Sequence, residues 1–244
     1  MTPILTIQEL AIIIAAPNLN PTLLTPDFLL GSGCISANWK LARQPVLSPQ
    51  VAQISFANGI NIVAQPGTIT FSESLPNKDT MDDFGQEIKI SAMANKYTSI
   101  LGNLDYQAVA INPRSFVTFP SEDPQAARDY IINTLFASQE WLETGTEPIK
   151  ASVNLAYTLE NRQLNLTIAE AKLQQEGKAA QSAVLFSGNL PYEITGDTAE
   201  ERQQQLSQFI NNWGKDLETY REIINGKFLS KAMNNEQRTI NNKQ

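Results

Sequence analysis

Ser36 and Lys40 lie four residues apart, a spacing that on a helix would set a hydroxyl beside an amine, as serine–lysine nucleophiles require. The segment around them lacks helical periodicity, so the pair carries no catalytic assignment. Cys34 is the single cysteine, which rules out an internal disulfide and a thiolate metal cluster. No cation stands immediately beside it to favour a thiolate, although Lys40 is within reach, and it reads as a small buried hydrophobe. Gly31-Ser32-Gly33 has the look of a phosphate loop. It lacks both the terminal Gly-Lys-Ser/Thr of the triphosphate loop and the third glycine of the dinucleotide turn, and it reads as a flexible turn. Asp79, Asp82, Asp83 and Glu87 form the densest acidic cluster, with oxygen ligands suited to a hard cation. The calcium-loop spacing is absent, and acids are expected in the first turn of a helix, where they oppose its dipole.

The chain holds no histidine. That removes Ser-His-Asp and Cys-His pairs, the commonest metal ligand and the usual general base near neutral pH. Carboxylate- and lysine-based chemistry stays open, but no catalytic residue, metal site or cofactor is assigned.

These residues sit in a chain of 244 residues with a net charge of −7, long enough for one large or two small domains. Charged residues make up 18%, below the usual level of about 25%, and they are unevenly placed. From Met1 to Asn77 the charges are Glu9, Asp27, Lys40, Arg43 and Glu73 alone, so this stretch must be buried or must face a partner. An acidic chain without a basic run is a poor match for phosphate, which argues against nucleic acid. The apolar run Leu10–Ala16 is too short to cross a membrane, and the N-terminus lacks the basic region of a secretion signal. No membrane insertion is expected, and the expected location is cytoplasmic.

The first strand reads as Gln8–Ala15. A stretch punctuated by Pro17, Pro21 and Pro26 follows, then an irregular segment anchored by Trp39. Val51–Phe56 and Ile60–Val63 form a hairpin about Asn58-Gly59, and Thr68–Phe71 adds a third strand. A helix with Thr80 and Asp83 at capping-box spacing runs to Leu101, with Gly102 as its stop. Tyr106–Ile111 is a strand that ends at Asn112-Pro113. Asp123 and Pro124 start a second long helix, which runs to Trp141. Strands follow at 151–157, 164–170 and 183–187. The last helix opens on a Thr198/Glu201 capping box and ends at Asn225-Gly226, and a polar tail runs from Lys231 to Gln244.

The expected fold class is α+β: antiparallel sheets covered by helices, in one sheet or two. The element order strand, helix or loop, three strands, helix occurs twice, which raises the expectation of a duplicated unit. The units would be 1–104 and 105–228, packed as one body, with 229–244 as the tail. Two duplicated architectures fail on charge. Sliding DNA clamps need cationic helices facing the duplex, and TATA-binding saddles need a basic concave sheet. Here 23–30 holds no Lys or Arg, and 123–142 holds only Arg128.

Pro17-Asn18-Leu19-Asn20-Pro21, Ala42-Arg43-Gln44-Pro45-Val46, the Asn58-Gly59 hairpin and Ala110-Ile111-Asn112-Pro113 carry a further observation. The segment Ile7–Phe119 resembles uncharacterised bacterial proteins found mainly in cyanobacteria. The resemblance implies no activity and no site residue.

Two surfaces are candidates for contact. Leu23, Leu24, Phe28, Leu29 and Trp39 are bulky apolar residues in a Pro-rich connection, where loops usually face solvent. Leu206, Ile210, Trp213, Leu217, Tyr220 and Ile224 recur at alternating spacings of four and three on the last helix. That stripe either packs on its own sheet or pairs with the same helix of a second subunit. The run is short for a coiled coil, and Trp213 and Tyr220 are bulky for a seam, which favours its own sheet. The function expected is that of a non-enzymatic interaction or assembly protein, with a protein partner or a second copy. The alternatives are a small-molecule binding domain with an apolar pocket and a carboxylate-based enzyme.

Overall fold

A computed structural model describes residues 4–78, 88–119, 125–136, 146, 149–160, 162–174 and 180–230. The capping pair Thr80/Asp83, the acidic cluster Asp79, Asp82, Asp83 and Glu87, the helix start Asp123-Pro124, Trp141 and the 231–244 tail lie outside them.

The strands are β1 (Leu5–Ala15), β2 (Val46–Leu47), β3 (Ala52–Ser55), β4 (Ile60–Gln65), β5 (Thr68–Lys78), β6 (Ala108–Thr118), β7 (Ser152–Leu159), β8 (Arg162–Leu173) and β9 (Gln181–Glu193). The helices are α1 (Pro26–Gly31), α2 (Ile90–Ile100), α3 (Ala126–Leu135), α4 (Ala199–Asn211) and α5 (Trp213–Ile223), and a π-helical segment Ile224–Leu229 continues α5. All nine strands form one antiparallel sheet in the order β2-β3-β4-β5-β1-β6-β9-β8-β7. β1 and β6 are the central pair. Outward from β1 run β5, β4 and β3, and outward from β6 run β9, β8 and β7, so the two halves have the same strand order.

Alternation assigns the two faces. Leu10, Ile12 and Ile14 of β1, Ile69 and Phe71 of β5, Val109 and Ile111 of β6, and Phe186 and Leu190 of β9 point to one side and are buried. The helices lie on that side. Tyr97 of α2 packs edge-on against Phe71, and the hydroxyl of Tyr220 on α5 donates to Phe186 O at 2.8 Å and meets Ser115 Oγ at 2.7 Å. Glu73 reaches from β5 to accept from Lys89 N at 2.8 Å and Ile90 N at 3.3 Å, satisfying amides that open α2.

Four features depart from the sequence reading. β2 is a ninth strand in a segment read as irregular; two residues give no periodicity to detect. β6 runs straight through Asn112-Pro113, where a proline was expected to end it. The β6–β9 pairing breaks at those two residues, and Asn189 Nδ2 donates to Asn112 Oδ1 across the gap at 2.9 Å. The last helix is two helices, because it breaks at Asn212, whose amide is shared among the carbonyls of Gln208, Phe209 and Ile210. Its start matches expectation: Glu201 N donates to Thr198 Oγ1 at 3.2 Å, and Thr198 N to Glu201 Oε2 at 3.1 Å. The third helix ends at Leu135, short of the expected Trp141.

Candidate functional site

The Pro-rich connection folds inward rather than forming an apolar patch. Thr25 caps α1 by accepting from Phe28 N at 3.1 Å, and the resulting turn carries Leu24 and Leu29 into the core, where neither has any exposed surface. Phe28 lies half-buried, edge-on to Tyr97 at 5.8 Å, and Trp39 half-buried against Phe56 at 5.3 Å. Of the five candidates, only Leu23 is exposed. This corrects the expected contact surface: a short capped helix gave these side chains a sheet to cover.

The helix stripe is likewise turned inward. Leu206, Ile210, Leu217, Tyr220 and Ile224 are fully buried in their own chain, and Trp213 packs partly buried against the same core. They are not available to a second subunit, because the break at Asn212 wraps α4 and α5 onto the sheet.

The chemical candidates stay apart. Ser36 and Lys40 lie in irregular chain rather than on a helix. Cys34 is buried and accepts from Ser32 Oγ at 3.2 Å, and burial raises its thiol pKa above the ordinary value. Among the described residues no group of three or more His, Cys, Asp or Glu could hold a metal ion.

The most connected polar group joins residues that no spacing or motif in the chain links. Asp216 on α5 has no exposed side-chain surface. Arg162, at the start of β8, donates Nη1 to Asp216 Oδ1 at 2.5 Å and Nη2 to Thr219 Oγ1 at 2.5 Å. The Tyr192 hydroxyl faces both carboxylate oxygens at 2.7 and 2.8 Å. Burial raises the Asp216 pKa against the opposing pull of Tyr192 and Arg162, and burial together with the Asp216 carboxylate pushes Tyr192 up to about 12. The cluster borders a concavity of about 930 Å³, walled by the Tyr192–Phe209 stack and by Thr158, Gln208, Asn212 and Lys215. Glu160 and Glu193 also border it, both solvent-exposed. Asp216 neutralises the Arg162 charge, and the other charges on the rim are of both signs, Lys215 with Glu160 and Glu193, so charge of one sign does not converge on a ligand there. The network ties the β7–β8 hairpin to α5.

The face of the sheet away from the helices has the least ordinary chemistry. Thr6, Glu9, Ala11, Ile13 and Ala15 of β1 point there, with Ala108, Ala110, Asn112, Arg114 and Phe116 of β6. Leu185, Ser187, Asn189 and Pro191 of β9 continue it, then Asn165, Thr167, Ala169 and Ala171 of β8. On the other flank stand Thr68, Thr70, Ser72 and Ser74 of β5, then Asn61 and Val63 of β4. On this face of these strands the charged side chains are Glu9, Arg114 and Glu193; Glu9 and Arg114 approach each other at 3.9 Å. Amides link neighbouring strands: Asn165 donates to Asn189 at 3.3 Å and Asn189 to Asn112. Solvated sheet faces usually carry many charged side chains, whereas here apolar rows Ile13–Ala110–Pro191 and Phe116–Leu185–Ala169 flank two polar rows whose only charges are Glu9 and Arg114. None of the described helices covers this side. No helix of the described residues is long and apolar enough to cross a membrane.

Neither comparison with known proteins supplies a family: no protein-family model matches the chain, and no curated protein matches it.

Proposed function

We propose that the protein is a non-enzymatic interaction protein, and that it receives a protein partner on the open face of its sheet. One observation carries this reading: two uncharged apolar rows cross that face, Ile13–Ala110–Pro191 and Phe116–Leu185–Ala169, on either side of polar rows that hold the linked amides and the Glu9–Arg114 pair. Uncharged apolar rows lose little on leaving water, and the amides between them can hydrogen-bond a partner. The partner it fits carries apolar side chains spaced to meet both rows and polar groups between them.

We infer also that the two halves are a duplicated unit. The matching strand orders β3-β4-β5-β1 and β7-β8-β9-β6 support this, as does the placement of helices on one common side. The open face then runs unbroken across the junction of the units, wider than either could offer alone.

The test is Ala110→Lys with Ala169→Lys, which adds one charge to each apolar row without removing packed atoms. The pair should abolish capture of any protein that the unmodified chain retains from its source lysate, while the melting temperature holds within a few degrees. A partner retained equally by both chains would sink the assignment of this face.

A further inference from the structure

We propose that β7 is a pairing edge, and that a second copy of this chain adds its own β7 to it, antiparallel, extending the sheet across a twofold axis. This goes beyond the open-face reading and does not depend on it.

The two edges of the sheet are finished differently. One ends in β2, only two residues long, with Pro45 and Pro49 on either side and Arg43 donating to Ser55 Oγ at 3.2 Å nearby. Short strands, prolines and charges are the usual devices that stop one edge from pairing with another. The other edge has none of them. β7 runs for eight residues, Ser-Val-Asn-Leu-Ala-Tyr-Thr-Leu, without proline, glycine or charge. At about 3.4 Å per residue it offers roughly 27 Å of backbone edge. Among the described residues, β8 is its only strand partner. Its helix-side residues Val153, Leu155, Tyr157 and Leu159 are half-buried at the margin of the core, so an apolar row stops at the edge.

The strand is complementary to itself. Antiparallel pairing centred on Ala156 sets Ala156 opposite its own copy, Leu155 opposite Tyr157, and Val153 opposite Leu159. On the open side Asn154 meets Thr158. Every opposed pair then joins like with like on the correct face, which is what register requires where one face is covered. The ends match in charge. Lys150 precedes the strand and Glu160 follows it; both are exposed, and neither is ion-paired within the described part of its own chain. In this register Glu160 stands opposite the partner copy's Ser152, and each Lys150 lies on the diagonal to the partner copy's Glu160, within reach of two long side chains. The pairing is isologous, so it closes at two copies. The same geometry already joins the two halves of one chain, where β1 and β6 pair antiparallel along their length.

The test uses the full chain in sedimentation velocity over a range of concentrations. The unmodified protein should show a concentration-dependent dimer. Ala156→Lys and Ala156→Glu each place two like charges at the axis on an exposed position, and each alone should raise the dimer Kd at least tenfold. Mixed in equal amounts, the two variants should form a heterodimer. In a Cys34→Ser chain, Ala156→Cys should cross-link on mild oxidation, because directly opposed Cα atoms lie about 4.5–5.5 Å apart, within disulfide reach. A chain that stays monomeric at every concentration overturns the proposal, and so does a dimer that both charge variants leave intact. Ala110→Lys with Ala169→Lys should not alter the dimer, so failure of the open-face reading leaves this result standing.

Discussion

Replacing Arg162 with Met tests what holds the β7–β8 hairpin to α5. The change keeps much of the side-chain volume and removes the cation from a carboxylate with no exposed surface. Breaking a buried ion pair from one side costs about 3–5 kcal/mol, because the remaining charge stays buried without its partner. Arg162 is itself 21% exposed, and Tyr192 still donates to Asp216, so the lower end, about 3 kcal/mol, is expected at neutral pH. The sign of the pH dependence follows from the direction of the Asp216 shift. Its folded-state pKa lies above the ordinary value, so the folded state holds this proton more tightly than the unfolded chain does. The group's favourable contribution is complete below the unfolded carboxyl pKa, near 3.9, and is lost as pH rises through the folded one. Losing Arg162 lifts the folded pKa further. The gap between variant and unmodified protein should therefore be widest near pH 7 and should narrow on acidification toward the ordinary carboxylate range. Urea unfolding of both chains at pH 7 and pH 5 measures that gap directly. A gap under about 0.5 kcal/mol at pH 7, or one that widens at pH 5, would refute the account of Asp216 as a charge held in place by Arg162.

Two further changes probe the packing. A Cβ on Gly188 would sit 2.8 Å from Tyr220 Cδ2 and 3.0 Å from Pro113 Cγ, and Tyr220 is held by two hydrogen bonds. Gly188→Ala should therefore cost about 1–3 kcal/mol from overpacking, offset by less than about 1 kcal/mol gained through the unfolded chain, as read by denaturant unfolding. Thr198→Ala removes one half of the capping box and should cost about 1 kcal/mol, lowering the melting temperature by about 2–4 °C in calorimetry.

What was legible in the sequence was local. The Asn58-Gly59 turn, where Gly59 has φ of 87°, and the Thr198/Glu201 cap are written in residues a few positions apart, so their partners could be read off directly. The uninterrupted β6 was not legible, because the ladder gap that accommodates Pro113 is closed by Asn189, 77 positions from Asn112. The inward turn of Leu24 and Leu29 depends on a six-residue helix too short to show a period. Arg162 and Asp216 are separated by 54 positions, and neither sequence neighbourhood marks the other. The low charge of the first 77 residues was plain, but its meaning changed. Those apolar residues mostly cover the helix side, and the open face became visible only once register showed which residues of β1 and β6 share a side.

The central position of β1 has a consequence for how the chain is made. Its isoleucines leave the ribosome before either of its partners, β5, which begins at Thr68, and β6, which begins at Ala108. At synthesis rates of about 5–20 residues per second, the segment Leu10–Ile14 waits some 3–10 seconds for β5 and longer for β6. Throughout that interval it is an uncharged run of strong strand formers with both edges open, the composition that nascent chains most readily lose to aggregation. The yield of this protein in a cell should therefore depend on the speed of translation from β1 to β6, and on whatever shields that strand until its neighbours arrive.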